Sequence, residues 1–207
     1  NCGFALAPCK PEDREWYARC LEAVEDIPTE AIMSGVSWDW ETFPEYLDAV
    51  GRAPKALNHG SYIGHSALRM YVMGKRALDQ EATEDDVAKM AAMVADAIQA
   101  GALGFSTSRS PTHVTPDDTP VASRIGGWDE IDRLVAPMTE LNAGIFQLAP
   151  DVTSGASQEA FFEQVRRIAL ESGRPIMFGT IASRQGKDPK PWQFHTKYLD
   201  ETVAMGG

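Results

Sequence analysis

The sequence predicts an α/β protein built around parallel strands. Five short apolar segments occur along the 207 residues, and helical patterns separate them. These segments are continuously apolar rather than alternating, which is typical of parallel strands in a sheet that is covered on both faces. Part of a (β/α)8 barrel and an open, doubly wound sheet both agree with this pattern.

The predicted strands each end in polar residues. They are residues 1–8 (the tip of a strand that runs into a loop), 55–60, 102–107, 144–150 and 174–181. The first of these has neither an initiator Met nor any element before it. We therefore expect the chain to begin inside a larger domain.

Helix signals lie between the predicted strands. Pro11 and the acidic residues after it predict a helix start, because Pro fits the first turn and acids favour its positive end. Thr83-x-x-Asp86 resembles a capping box, and Gly101 is placed to end that helix. Further helices are predicted at residues 43–50, 65–72, 128–141, 157–171 and 192–204. Residues 108–127 are predicted to form a long loop, and loops of that length are usually functional or mobile.

Composition excludes several classes of protein. The formal net charge is -11, which argues against nucleic acid or an anionic membrane surface as a partner. No apolar run approaches the roughly 20 residues of a membrane-spanning helix. The three cysteines, Cys2, Cys9 and Cys20, have no disulfide-framework spacing, so we expect a reducing, cytoplasmic location. No Gly-x-Gly-x-x-Gly follows a strand, so nothing supports dinucleotide binding.

The ends of the predicted strands are the places to look for a site, because sites in parallel α/β proteins gather there. The polar residues at these ends are Cys2, Asn58 and His59, Ser106 and Thr107, Gln147, and Thr180. The set contains one histidine and no carboxylate. At this position a cysteine can be a metal ligand, a nucleophile or a buried core residue, and the residues alone leave all three open.

Other candidate residues have simpler explanations. His59 and His65 lie six residues apart and favour structural roles over metal ligation, whereas His113 and His195 are expected to be solvated. The aromatic segment 38–41 (Trp-Asp-Trp-Glu) either lines a substrate pocket or packs as an aromatic cap.

Five segments together resemble a known family. They are residues 1–8 (Asn-Cys-Gly-Phe-Ala-Leu-Ala-Pro), 24–28 (Val-Glu-Asp-Ile-Pro), 38–48 (Trp-Asp-Trp-Glu-Thr-Phe-Pro-Glu-Tyr-Leu-Asp), 64–69 (Gly-His-x-x-Leu-Arg) and 101–109 (Gly-Ala-Leu-Gly-Phe-Ser-Thr-Ser-Arg). In these segments the chain resembles the N-acyl-D-amino-acid deacylase (D-aminoacylase-like) branch of the amidohydrolase superfamily. The resemblance extends over nearly the whole chain, and the third and fifth segments are its most specific parts.

The resemblance implies a distorted (β/α)8 barrel with a zinc site at its C-terminal face. Such enzymes hydrolyse the amide of small N-acyl amino acids: zinc activates water and polarises the carbonyl, and an aspartate shuttles protons. By this matching, residues 1–207 are one partial barrel domain that spans strands two to six and is truncated at both ends. The remaining segments of the parent chain would complete it, and the isolated 207 residues are expected to be inactive.

The resemblance also implies roles for individual residues. Cys2 matches a zinc ligand, and thiolate suits Zn²⁺ well. The expected substrate-binding residues are His59, Ser106, Ser108, Arg109, Gln147 and Thr180, with Arg109 placed to pair with a carboxylate. The family pattern puts metal-binding histidines where Gln147 and Thr180 stand here, and neither is a good zinc ligand.

Two alternatives to a deacylase follow from the sequence. One is a barrel of the same ancestry that has lost its chemistry and binds a ligand or partner, which the residues at 147 and 180 favour. The other is an open-sheet enzyme that uses Cys2 as a nucleophile, with His59 as the strand-end base.

Overall fold

The structure is a computed structural model that describes residues 5–151, 156–179 and 192–207. The expectations for Cys2 and Thr180 lie outside these residues, as does most of the strand predicted at residues 1–8. The helices are α1 (Arg14–Glu25), α2 (Thr29–Gly35), α3 (Phe43–Arg52), α4 (His65–Met73), α5 (Glu84–Gln99), α6 (Trp128–Glu140), α7 (Ala156–Ser172) and α8 (Trp192–Ala204). Short 3-10 turns occupy Pro11–Asp13, Gly74–Leu78 and Ala122–Arg124.

Strands within the described residues form one parallel sheet. They are β1 (Tyr62–Gly64), β2 (Gly104–Ser108), β3 (Ile145–Ala149) and β4 (Ile176–Phe178), and they lie side by side in the order β1-β2-β3-β4. Each crossover therefore advances by one strand in the same direction. Because such connections are right-handed, the connecting helices lie on one face of the sheet, as in a βα barrel, with no reversal of the kind found in a doubly wound sheet.

The helix-facing side of the sheet holds the apolar core. Phe105 and Phe146 are in register, and their rings stack with centroids 5.8 Å apart. Helices α4, α5 and α6 all contact β2. Gly104 lets β2 and β3 approach closely, because a Cβ at this position would overlap the carbonyl oxygen of Ile145.

Helix starts agree with the sequence at the capped positions. The hydroxyl of Thr83 accepts a hydrogen bond from the backbone N–H of Asp86, whose carboxylate accepts one from the N–H of Thr83. Asp therefore completes the predicted capping box in place of Glu or Gln. A second box joins Thr42 and Glu45 at the start of α3, which was not predicted.

One strand prediction is wrong within the described residues. Residues 55–60 are exposed and form no strand, and Leu57 is 82% exposed. The strand is instead Tyr62–Gly64, directly before α4. Residues 5–8 are irregular, which agrees with the loop that was predicted to follow the strand tip. Helix α2, at Thr29–Gly35, was not predicted. No helix of the described residues has the length and apolarity needed to cross a membrane.

Candidate functional site

The C-terminal edge of the sheet presents two chemically different faces. Side chains alternate along a strand, so Phe105 and Thr107 point to the helices while Ser106 and Ser108 point the other way. Ser106 is in register with Gln147 of β3, which places both on the face away from the helices. That face of the edge is lined by hydroxyl and amide groups.

Gln147, the middle residue of β3, has an unsatisfied polar atom on the face away from the helices. Its side chain is buried, with 7% of the residue exposed, and its Oε1 has no hydrogen-bond partner among the described residues. Buried acceptors without a partner are rare in proteins, and each calls for an explanation such as a bound group. Met177, the register partner of Gln147 on β4, is 50% exposed on the same face.

Ser108 links the edge to the long loop that follows β2. The wholly buried Ser108 places its Oγ 2.6 Å from Nδ1 of His113 and 3.3 Å from the backbone N–H of Ser110, from which it accepts a hydrogen bond. Ser106 donates a long hydrogen bond of 3.5 Å to the carbonyl of Ile63. The expectation that His113 is solvated is therefore wrong: the ring is half-buried and hydrogen-bonded.

Arg109 lies just past the end of β2. One terminal nitrogen of its guanidinium donates to the carbonyl oxygens of Ser123 and Gly126, at 3.0 and 2.5 Å, and the group lies 5.8 Å from the ring of Trp128. Burial lowers the pKa of Arg109, and the nearby charge of Arg124 adds to the effect. The guanidinium makes no other hydrogen bond to a described residue, so its remaining N–H groups can serve a ligand.

A buried polar network occupies the helix-facing side of the same edge. His65 follows β1 directly; its Nδ1 lies 2.9 Å from the hydroxyl of Thr107 and its Nε2 lies 2.6 Å from Glu130. Arg69, one turn along α4, donates to both carboxylate oxygens of Glu130 at 2.7 and 2.5 Å. Because an ionised carboxylate only accepts, we assign the imidazole proton to Nε2, and the Thr107 hydroxyl donates to Nδ1.

Hydrogen bonds among His65, Arg69 and Glu130 set the charge states in this network. Burial would raise the pKa of Glu130, but the hydrogen bonds from His65 and Arg69 outweigh it and lower the pKa. Burial lowers the pKa of His65, although Glu130 acts in the opposite direction. A neutral His65, a carboxylate and a guanidinium thus form a buried hydrogen-bonded unit, in which Nε of Arg69 has no partner among the described residues, and the structural interpretation of His65 is confirmed. Sequence reasoning missed Glu130, since the carboxylate lies 65 positions from His65.

His59 lies at the other end of the sheet from the candidate site. It precedes β1, so it stands at the N-terminal edge, where its exposed ring lies 3.4 Å from the hydroxyl of Tyr46. The assignment of His59 to a strand end that faces substrate is wrong, because the strand was placed too early in the chain. For the same reason, no described geometry makes it a base for a strand-end cysteine.

The aromatic segment at residues 38–41 packs as a cap. Trp38 and Trp40 are both buried with ring centroids 5.7 Å apart, and the indole N–H of Trp40 donates to the carbonyl of Leu6 at 2.9 Å. The backbone N–H of Cys9 donates to the carbonyl of Glu41. Of the two interpretations, the structure confirms the packed cap.

The described residues do not by themselves suit zinc. Among them, no three His, Cys, Asp or Glu side chains are grouped so that they could hold a metal ion. The polar groups at the edge are the hydroxyls of Ser106 and Ser108 and the amide of Gln147, whereas Zn²⁺ prefers thiolate, imidazole and carboxylate. Any metal held here would need ligands from outside the described residues.

Comparisons with known proteins give a consistent set of relatives. D-aminoacylase of Alcaligenes xylosoxydans xylosoxydans is 35% identical over 107 residues, which are 52% of this chain and 19% of that protein. N-acyl-D-aspartate deacylase of the same organism is 31% identical over 154 residues, covering 68% of this chain and 28% of that protein. An uncharacterised protein of Mycobacterium tuberculosis is 31% identical over 177 residues, covering 81% of this chain and 28% of that protein. No protein-family model matches the chain.

Solved structures agree with the sequence relatives. A variant of D-aminoacylase in complex with copper chloride superposes with a TM-score of 0.69 at 25% identity, covering 99% of this chain and 38% of that one. N-acyl-D-glutamate deacylase of Bordetella bronchiseptica, complexed with zinc and a phosphonate inhibitor, gives a TM-score of 0.68 at 21% identity and supports the fold alone. The chain therefore spans well under half the length of the proteins it matches.

Proposed function

Because this chain is a relative of the D-aminoacylase-like deacylases of the amidohydrolase superfamily, we propose that it forms part of a metal-dependent hydrolase that removes the acyl group from N-acyl-D-amino acids. The observation that supports this function most is the environment of the Gln147 side chain. Its buried Oε1, which has no partner among the described residues, lies on the sheet face away from the helices, in a chain that superposes on a D-aminoacylase. We propose a cytoplasmic location, in agreement with the free, buried thiols of Cys9 and Cys20.

The described residues of the edge would bind and orient the substrate. In this proposal the carbonyl of Gln147 accepts the N–H of the substrate amide, which would satisfy its missing partner. Ser106 and Ser108 line the same face, and Arg109 offers unused N–H groups to the substrate carboxylate. Thr180 stays a proposed member of this pocket, from outside the described residues.

Zinc is the proposed metal, and Cys2 is its proposed ligand from this chain. Two kinds of support exist: a relative by fold was solved with zinc, and thiolate is a preferred zinc ligand. When bound, zinc would supply an activated water and polarise the scissile carbonyl. The other ligands would come from parts of the protein beyond those described here.

The edges of the sheet support a barrel that further strands complete. Among the described strands, β1 pairs only with β2, and β4 pairs only with β3. An uncovered parallel edge exposes unpaired backbone groups, and Met177 beside it is half exposed. We propose that other segments of the parent protein pair with both edges. Gel filtration and calorimetry of residues 1–207 alone test this, since a cooperative monomer would contradict it.

Metal analysis and turnover of the full-length protein test the function. Purified without chelators, it should contain near-stoichiometric zinc and hydrolyse N-acyl-D-amino acids. Cys2→Ser should lower the zinc content, whereas the matched change Cys9→Ser, at a buried thiol, should leave it unchanged. A folded protein with neither zinc nor turnover would instead support the alternative of a ligand-binding barrel without catalysis.

A further inference from the structure

The last peptide of β2 extends beyond the strand that precedes it in the sheet. The register pairs Gly64, the last residue of β1, with Ser106 of β2, and α4 begins at the next residue. β1 therefore offers no strand partner to the carbonyl of Ser108, two residues further along β2. The N–H of Arg109 donates to the carbonyl of Ala149 on β3 at 2.8 Å, so in a planar trans peptide the carbonyl of Ser108 points to the side that β1 has left.

The hydroxyl of Ser123 takes the place of the missing strand. Ser123 lies in the 3-10 turn at Ala122–Arg124, within the loop between β2 and α6, and it is wholly buried. Its Oγ donates a hydrogen bond of 3.0 Å to the carbonyl of Ser108, which is also wholly buried. A buried carbonyl without a donor costs free energy, so this contact completes the hydrogen bonding of the strand end.

Two further hydrogen bonds fix the position of Ser123 itself. Its backbone N–H donates to the hydroxyl of Ser66 on α4 at 3.1 Å, and Ser66 is buried as well. Its carbonyl accepts from the guanidinium of Arg109 at 3.0 Å. Every polar group of Ser123 is therefore hydrogen-bonded within the protein, and its hydroxyl is preorganised against the end of β2.

Ser108 connects this contact to the face of the sheet away from the helices. Its side chain points to that face, on which Ser106 and Gln147 also lie. Its Oγ lies 2.6 Å from Nδ1 of His113 and accepts a hydrogen bond from the N–H of Ser110. Rotation of the peptide after Ser108 would change the path of the loop from that point and so separate this Oγ from the imidazole of His113.

We propose that Ser123 is a positioning residue of the candidate site, which acts through the carbonyl of Ser108 to hold the Ser108 hydroxyl and His113 in place. This role rests on the proposed deacylase function, which assigns Ser108 to substrate binding. Ser123 itself offers no group to the substrate, since its polar atoms are all used within the protein. A misplacement of about 1 Å can impair an enzyme even when its cause is remote from the substrate.

Kinetics of Ser123→Ala and Ser66→Ala in the full-length enzyme test this role. Each variant removes one hydroxyl and one buried hydrogen bond at the same turn, but only Ser123→Ala releases the carbonyl of Ser108. With an N-acetyl-D-amino acid as substrate, Ser123→Ala should raise KM about fivefold, because the binding groups are misplaced. Ser66→Ala should change KM less than about twofold. Ser123→Cys, which keeps a weaker S–H donor, should give a KM between those of the wild type and Ser123→Ala.

The choice of KM separates positioning from a loss of stability. A variant that only populates fewer folded molecules has a lower apparent kcat and an unchanged KM. Thermal melts should show similar losses of stability in Ser123→Ala and Ser66→Ala. An unchanged KM in Ser123→Ala, or an equal rise of KM in both variants, would overturn the positioning role while leaving the deacylase intact.

Hydrogen exchange tests the geometry without reference to activity. Backbone N–H groups of residues 109–113 should exchange faster in Ser123→Ala than in the wild type or in Ser66→Ala, as mass spectrometry of peptides would show. Equal exchange in all three proteins would contradict the proposed hold on the strand end. A wild-type enzyme that hydrolyses no N-acyl-D-amino acid would reject the proposed function and the role in substrate binding, whereas the exchange result would still decide whether Ser123 holds the end of β2.

Discussion

Glu130 is the residue whose neutralisation should damage the fold most among the charged residues of the edge. Changing Glu130 to Gln keeps the volume but removes the charge that balances Arg69, which has a wholly buried side chain. The change also replaces one carboxylate oxygen by an NH2 donor, which would face either the guanidinium of Arg69 or Nε2–H of His65. Arg69 would keep the carbonyl of Gln80 as a neutral partner. In this variant the positive charge of Arg69 would stay buried with no negative charge beside it.

The expected loss follows from burial and contact. Breaking a buried, hydrogen-bonded ion pair by removing one partner typically costs about 3–5 kcal/mol, since it leaves an uncompensated charge. The Arg69–Glu130 pair meets this description, with side chains 0% and 7% exposed and oxygen–nitrogen distances of 2.5 and 2.7 Å. The pair Arg133–Glu84 is a matched surface control, because its side chains are 51% and 88% exposed at 2.9 Å. Glu84→Gln should cost less than about 1 kcal/mol.

Urea unfolding of the wild-type protein, Glu130→Gln and Glu84→Gln measures the difference in the free energy of unfolding. Glu130→Gln should lower the free energy of unfolding by about 3 kcal/mol or more relative to Glu84→Gln. Adding Arg69→Met to Glu130→Gln removes the stranded charge and should recover part of the loss, which a double-mutant cycle would show. A Glu130→Gln variant as stable as Glu84→Gln would refute the view that this network is a coupled buried unit.

Three further predictions concern backbone approach, pH and thiol reactivity. Gly104→Ala should lower the free energy of unfolding by about 3 kcal/mol or more, because the added Cβ overlaps the neighbouring strand. Gly51→Ala, with open space around it in α3, should be neutral or stabilising by up to about 1 kcal/mol. Thermal melts of the two variants would compare them. His65 has a folded-state pKa below its ordinary value of 6.5, so its contribution to stability is present above that pH and is lost on acidification. The variant His65→Asn should therefore lose less stability than the wild type as the pH falls below 6.5. An unchanged slope of the free energy of unfolding against pH would contradict this. Burial raises the pKa of Cys9 to about 12 and also raises that of Cys20, so iodoacetamide at neutral pH should label neither thiol, as peptide mass spectrometry would show.

Local signals predicted the helices better than the strands. Thr83 and Asp86 mark the start of α5 because a capping box depends on neighbouring residues only. β1 was misplaced because its three residues, Tyr62–Gly64, carry too little pattern to separate a strand from the helix that follows at His65. Residues 55–60 looked like a better strand, yet no partner strand covers them.

The site was predictable where it depended on strand ends and not where it depended on long-range contact. Ser106 and Gln147 were predicted at neighbouring strand ends, and the register pairs them, although each is the middle residue of its five-residue strand. Nothing local indicates that Glu130 meets His65 and Arg69, since helix packing alone joins them. His113 was taken as solvated because a loop histidine carries no sign of its hydroxyl partner.

The run Ser106-Thr107-Ser108 makes the chemistry of the edge insensitive to an error in strand pairing. If β2 shifted by one residue, a hydroxyl would still lie on the face away from the helices, so polarity alone would not reject the wrong alignment. Aromatic bulk and the missing Cβ do so instead: a shift would turn Phe105 out of its stack with Phe146 and carry Gly104 away from its crowded position beside β3. The correct alignment of the hydroxyls of Ser106 and Ser108 is thus enforced by Phe105 and Gly104, two residues that carry no polar side chain.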